Sequence, residues 1–153
     1  MTDLERLRVW IATYPKYDIL NEFQCDFADR AVPDNGGVFP SGLVEVERRQ
    51  DIMGNTTVTN QYNFGLYYVF AKAPGDDAGA TVNADWVMDF QTWVQEQSVT
   101  GQAPVFGDVP GDERITAQNG VLYETDDGGV ATYMVQLSAA FKKKFEVKNK
   151  WLT

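Results

Sequence analysis

The side chains able to do chemistry in this sequence are mostly carboxylates. Adjacent acids stand at Asp76-Asp77, Asp112-Glu113 and Asp126-Asp127. Each pair lies in a stretch rich in glycine or proline, where solvated turns form. A catalytic carboxylate pair needs two environments that separate the pKa values of its members, and neighbours in a turn do not have them. The stretch Glu124-Thr125-Asp126-Asp127-Gly128-Gly129 resembles a calcium loop only loosely. It lacks the carboxylate spacing and the closing glutamate of an EF-hand. The single cysteine, Cys25, falls on the apolar side of the alternating run Phe23-Gln24-Cys25-Asp26-Phe27 and reads as a buried, inert thiol. The 153 residues contain no histidine, which removes the Ser-His-Asp triad, the Cys-His dyad and imidazole metal sites. Gly36-Gly37 and Gly128-Gly129 lack the lysine or helix that makes a phosphate-binding loop. The expectation is a protein that is not an enzyme, with no catalytic residue, no cofactor and no metal.

The charge is large and unevenly placed. The formal net charge is −9, from 13 basic and 22 acidic side chains. Residues 1–141 carry a net −13, and residues 142–153, with five lysines and one acid, carry +4. An acidic body argues against general affinity for nucleic acid or an anionic membrane. No apolar run approaches the roughly 20 residues of a membrane helix. The opening Met1-Thr2-Asp3-Leu4-Glu5-Arg6 is charged from the start, unlike a signal peptide. Lys142, Lys143 and Lys144 begin the basic end. They read either as a solvated strand end whose lysines discourage edge pairing or as a contact with the acidic body of a neighbouring subunit.

The elements around these residues follow from periodicity. Leu4, Leu7, Trp10 and Ile11 recur at helical spacing behind a cap at Thr2 or Asp3, with Pro15 limiting the helix. A short strand follows at 22–28. Residues 29–42 read as a Pro/Gly loop pinned by Val38 and Phe39. A strand from Leu43 to Ile52, a turn at Met53-Gly54-Asn55 and a long strand from Thr56 to Lys72 make a hairpin. The returning strand spans on the order of 50 Å, and its first half is polar on both faces apart from Val58 and Tyr62. The tip is therefore expected to project as a two-stranded arm that becomes firm against a neighbour. Residues 73–82 read as an acidic loop. Asn83 reads as the N-cap of a second helix with the stripe Trp86, Val87, Phe90, Trp93 and Val94. Asn119-Gly120 reads as a two-residue hairpin turn, and a last strand runs from Val130 to about Val147.

The expected order is α-β-β-β-α-β-β-β. This is an α+β fold, a mainly antiparallel sheet with two amphipathic helices on one face. One domain over 1–147 ends in a short basic tail, 148–153. Two strands look too long for so small a domain, which points to assembly with other chains. Head-to-tail contact between unlike surfaces closes into a ring. Val58, Asn60 and Tyr62 on the arm, with Lys142, Lys143 and Lys144, are the expected subunit contacts. A different class of reading, a small-molecule-binding domain, would line a pocket with Tyr62, Tyr68, Trp86 and Trp93.

In order along nearly the whole chain, the sequence resembles the tail terminator (tail completion) family of long-tailed bacteriophages and prophages. These are minor structural proteins of the head-tail joint. The resemblance is carried by the opening helix, Phe23-Gln24-Cys25-Asp26-Phe27 and the Pro/Gly loop after it. It continues through the Ile52-Met53-Gly54 turn, Gln61-Tyr62-Asn63-Phe64-Gly65-Leu66 and Phe90-Gln91-Thr92-Trp93. Gln118-Asn119-Gly120-Val121-Leu122 and Tyr133-Met134-Val135-Gln136-Leu137 complete it. Residues 148–153 extend past the usual pattern. The resemblance implies a homo-oligomeric ring, typically a hexamer, seated on tail-tube protein. That ring would stop tube growth and present a surface to the head-completion protein. It implies a virion location after synthesis in the bacterial host cytoplasm, DNA passing through the lumen without sequence-specific contact, and no membrane. The family has no catalytic residues to carry over. Another connector or a tube subunit is the neighbouring alternative.

Overall fold

The computed structural model describes residues 2–17, 20, 22–26, 28, 34–71, 77–125 and 129–146. Its elements are α1 (Asp3–Ile11), β1 (Glu22–Cys25), β2 (Asn35–Gln50), β3 (Thr56–Ala71), α2 (Asp77–Val99), β4 (Arg114–Thr125) and β5 (Val130–Phe145). The strands form one five-stranded sheet in the order β1-β2-β3-β5-β4. β1 runs parallel to β2, and the other neighbours are antiparallel. The fold is α+β, with both helices contributing to a core on one face of the sheet.

Local chemistry explains where the helices begin and end. The Thr2 hydroxyl accepts from the Glu5 N–H, and the Glu5 carboxylate accepts from the Thr2 N–H, a capping box. α1 ends at Ile11, four residues before Pro15, after its buried side chains Leu7, Trp10 and Ile11 have reached the sheet. α2 starts at Asp77, not Asn83. Residues 77–82 are helix rather than loop: Asp77 sits at the positive end of the dipole, and Ala78 and Ala80 favour helix. Residues 73–76 lie outside the described residues. Asn83 is buried, and its side-chain N–H donates to the Ala71 carbonyl at 3.0 Å, tying α2 to the end of β3.

Two turn signals take other forms in the fold. Residues 35–42 belong to β2, so the loop reading fails there; residues 29–33 lie outside the described residues. Gly36 lies in this strand at a close approach that needs glycine, since a Cβ there would stand 2.8 Å from the Tyr67 carbonyl oxygen and 3.0 Å from the Phe23 ring. Asn119-Gly120 is not a hairpin turn but a bulge between Gln118 and Val121, inside one continuous strand. Asn119 takes the left-handed conformation at φ 56°, which asparagine tolerates and a bulge uses. The described sheet therefore has one strand fewer than the expected order.

The core lies between the helices and one sheet face. Directly paired residues share a face, and Phe64/Leu137, Leu66/Val135 and Tyr68/Tyr133 stack there under Trp86, Val87, Phe90 and Val94. β1 adds Phe23 and the half-buried Cys25, as the alternation predicts. The Arg8 guanidinium donates to the Phe23 carbonyl at 2.9 Å and holds α1 to β1. The long strands are real: β2, β3 and β5 have 16 residues each. However, β5 pairs with β3 from end to end, Thr56 opposite Phe145 and Ala71 opposite Val130. The projecting arm is thus three-stranded, which gives it a firmness that two strands lack.

Candidate subunit interface

A sheet of five strands has two outer edges, and this one treats them differently. At β4 the edge is covered. The Ile115 N–H donates to the Ser98 hydroxyl at 3.0 Å, and the Gln91 amide donates to the Ala117 carbonyl at 3.1 Å. Both partners come from α2. The helix lies so close that a Cβ on Gly120 would meet Gln91 Oε1 at 2.3 Å and Val87 Cγ1 at 2.7 Å. A groove of about 670 Å³ remains between α2 and β4, lined by Gln95, Ser98, Val99, Asp112, Arg114 and Thr116 among others.

At the opposite side β1 covers only Asn35 to Val38 of β2. Among the described residues nothing pairs with the outer edge of β2 beyond that point, and 40–50 are all exposed. This edge carries apolar side chains on both faces: Leu43 is 53% exposed, Val44 50% and Val46 58%. Ile52 and Met53 stand in solvent at the tip. Register shifts at Pro40/Gly42 and Glu45/Glu47 bulge the edge. Exposed ion pairs, Glu45 with Arg48 at 2.8 Å and Glu47 with Arg49, line it. Bulges and charges are how natural sheets keep an open edge from pairing indiscriminately.

The expected contact residues divide under the structure. Val58 and Asn60 are buried within their own chain, 6% and 8% exposed. Tyr62 packs on Phe141, with ring centroids 4.9 Å apart, and on Phe106 at 5.7 Å. Its hydroxyl donates to Asp3 Oδ2 at 2.7 Å. Burial, with the Asp3 carboxylate as hydrogen-bond partner and neighbouring charge, pushes the Tyr62 hydroxyl up to about 12. Val58 and Asn60 are thus interior, and the half-buried Tyr62 is engaged within its own chain. Over Tyr62 the segment 103–109 folds back onto the arm's helix-side face through Phe106. Glu113 holds it there by accepting the Phe106 and Gly107 N–H groups at 2.7 and 3.1 Å.

Lys142, Lys143 and Lys144 are the last turns of a paired strand rather than the start of a loose tail. Lys142 makes an ion pair with Asp112 of its own chain at 3.0 Å. Its carbonyl accepts from the Asp108 N–H at 2.8 Å, and the Lys144 N–H donates to the Asp108 carboxylate at 2.8 Å. Lys143 lies opposite Val58, and Lys144 is exposed. β4 pairs with β5 only as far as Ala140, so at Lys142–Lys144 β5 is the outer strand of the arm, and Asp108 meets its edge. Residues 147–153 lie outside the described residues. The acid pair Asp112-Glu113 likewise has structural work: one member holds Lys142, the other the 103–109 segment.

The aromatic side chains that could have lined a pocket fill their own space. Trp10 stacks on Trp93 at 4.8 Å, and Tyr68 meets Trp86 edge to face at 4.6 Å. The Trp86 indole donates to the Lys16 carbonyl and the Tyr14 hydroxyl to the Trp86 carbonyl, each at 3.0 Å. Neither the α2–β4 groove nor a smaller one of about 340 Å³ on the open sheet face is lined by Tyr62, Tyr68, Trp86 or Trp93. Among the described residues, no three His, Cys, Asp or Glu side chains are placed to hold a metal ion, and no helix is long and apolar enough to cross a membrane.

The residues that periodicity did not single out are Arg48 and Arg49 with Leu43, Val44 and Val46. The available signal was an apolar residue on each face of one strand followed by paired opposite charges. No family model and no curated protein matches the chain.

Proposed function

We propose that this chain is a structural subunit of a phage or prophage virion, of the tail-terminator kind, which forms a ring that caps the tail tube and joins it to the head. The observation that carries the reading is the outer edge of β2, which no strand among the described residues pairs beyond Val38. It is a strand edge of about ten residues, exposed and partly apolar on both faces, attached to a domain whose other edge is closed by its own helix. A strand edge left open in one chain becomes paired in an assembly. A contact between unlike surfaces closes into a ring when its rotation permits and grows into a filament when it does not.

The charge distribution supports the same reading. The open sheet face carries Thr57, Thr59, Gln61, Asn63, Gln136 and Ser138, with Arg114, Lys142 and Lys144 beside them. The acids lie mainly on α1, α2 and the loops. A lumen that lets DNA slide must repel phosphate, so it would be walled by the acidic helices and loops rather than by this face.

Light scattering at several concentrations, with and without tail-tube protein, tests the proposal. The expected result is discrete rings, or binding confined to tube ends. A strict monomer that never binds tube ends contradicts it. Long filaments of the pure protein in electron micrographs would instead make it a tube subunit.

A further inference from the structure

We propose that Asn119-Gly120 is a self-modification site, where the folded chain converts Asn119 to aspartate and isoaspartate by attack of the Gly120 backbone nitrogen on the Asn119 carboxamide. The proposal is independent of the assembling-subunit reading.

This chemistry needs a carboxamide one residue before an unhindered backbone nitrogen, a peptide that can rotate, and water. A β-carbon on the following residue shields the nitrogen, so glycine is the favourable neighbour. Eight asparagines stand in the sequence, and only two precede glycine, Asn35 and Asn119. The fold treats those two differently.

Asn35 is 4% exposed. It pairs with Glu22 of β1 and Val69 of β3, and Gly36 pairs with Phe23 and Tyr68. Strands on both sides therefore hold this peptide, and the close approach of the Tyr67 carbonyl leaves it no room to turn. Asn119 is exposed. Neither Asn119 nor Gly120 has a partner in the β4–β5 register, which steps from Gln118 to Val121. A bulge interrupts the ladder and leaves its extra residue unpaired. The Asn119 backbone has already left the extended conformation, at φ 56°. Its carboxamide nitrogen, the group that leaves, donates to Gln136 Oε1 at 2.8 Å in an exposed contact.

Hydroxide takes the Gly120 amide proton, and the nitrogen attacks Asn119 Cγ. The new C–N bond closes a succinimide ring, the Cγ–Nδ2 bond breaks, and ammonia leaves with a proton from water. Water then opens the ring. Attack at Cγ gives aspartate; attack at the main-chain carbonyl gives isoaspartate, with the chain running through Cγ. No oxidant or reductant is needed. Either product adds a negative charge and removes the donor to Gln136. Isoaspartate also lengthens the backbone of β4 where α2 presses on Gly120 through Gln91 and Val87, so it should loosen that cover. The same pressure slows the reaction in the folded chain relative to the unfolded one.

Peptide mapping of the unaltered chain, aged in mildly alkaline buffer with and without urea, tests the proposal. In the folded chain Asn119 should convert about tenfold or more faster than Asn35, which waits for the sheet to open. In urea the two should convert at similar rates, both faster than folded Asn119. Equal rates in the folded chain, or a folded Asn119 that stays intact while the urea sample converts, overturn the site. Asn119→Gly keeps the left-handed conformation accessible and removes the carboxamide. Aged unaltered chain should melt at a lower temperature than fresh, and aged Asn119→Gly should not change. An isoaspartate-bearing chain that melts with the fresh one overturns the loosening of α2.

Discussion

The two edges of the sheet solve the same problem in opposite ways. Along β4 two outward backbone groups are taken by α2 side chains, Ser98 on Ile115 and Gln91 on Ala117. Along β2, among the described residues, the edge beyond Val38 is left open and carries bulges and short-range ion pairs. A covered edge is closed to chemistry of assembly unless it is undone; a guarded edge remains available to a partner whose charges fit. The difference assigns folding stability to the α2 side and recognition to the arm.

That division breaks most visibly at the core beneath α2. Phe90 is fully buried between α2 and the sheet. Phe90→Ala should cost about 3–5 kcal/mol, read as a lower urea midpoint, and it should loosen the helix that covers the β4 edge. If the stability were instead distributed evenly, arm substitutions of similar size would cost as much.

High pH acts on the helix-side face of the sheet, where these tyrosines pack. Burial raises the hydroxyls of Tyr14, Tyr17, Tyr62, Tyr68 and Tyr133 above the usual value of 10, Tyr62 to about 12. An unfolded chain loses these protons near pH 10 while the folded chain keeps them, so the folded state binds more protons there. Stability is then fully present below pH 10 and falls as pH rises through the folded values. Thermal unfolding between pH 7 and 12 should show a plateau followed by a steep decline.

The edge caps themselves should be worth less. Ser98→Ala and Gln91→Ala each remove one hydrogen bond to β4 and should cost about 1 kcal/mol. The sharper readout is local: the Ile115 amide should exchange with solvent faster in Ser98→Ala, and the arm amides should not change.

The smallest effect belongs to Tyr68. Its hydroxyl is fully buried and has no hydrogen-bond partner among the described residues. Tyr68→Phe removes an unsatisfied polar group at nearly constant volume and should be neutral or stabilise by up to about 1 kcal/mol. A clear loss of stability would mean that the hydroxyl has a partner after all.

The legible parts of the fold were those fixed by periodicity over many residues. The stripe Trp86, Val87, Phe90, Trp93, Val94 placed α2 on the sheet, and alternation from Val58 to Phe70 marked the core face of β3. What escaped depended on contacts remote in sequence. Gly36 in strand and Asn119-Gly120 in a bulge use the same residues as turns, and only the approach of Tyr67 or α2 decides between the two. The packing of Tyr62 draws on Phe106, more than 40 positions away, held by Glu113. An arm that looked polar on both faces was therefore covered on its helix side, and the open surface lay one strand over, on β2. Lys142 to Lys144 looked like a free basic end because pairing with β3 and the Asp108 contacts leave no local signature.

Amide hydrogen exchange tests the contrast between the edges most directly, followed in one sample as the chain is taken from dilute subunit to assembly, alone or on tail-tube ends. In the subunit, the Ile115 amide should be protected by Ser98 while the outward amides of 43–50 exchange freely. On assembly, the 43–50 amides should become protected. An arm already as protected as β4 in the subunit, or one that stays unprotected when the chain assembles, would contradict the account.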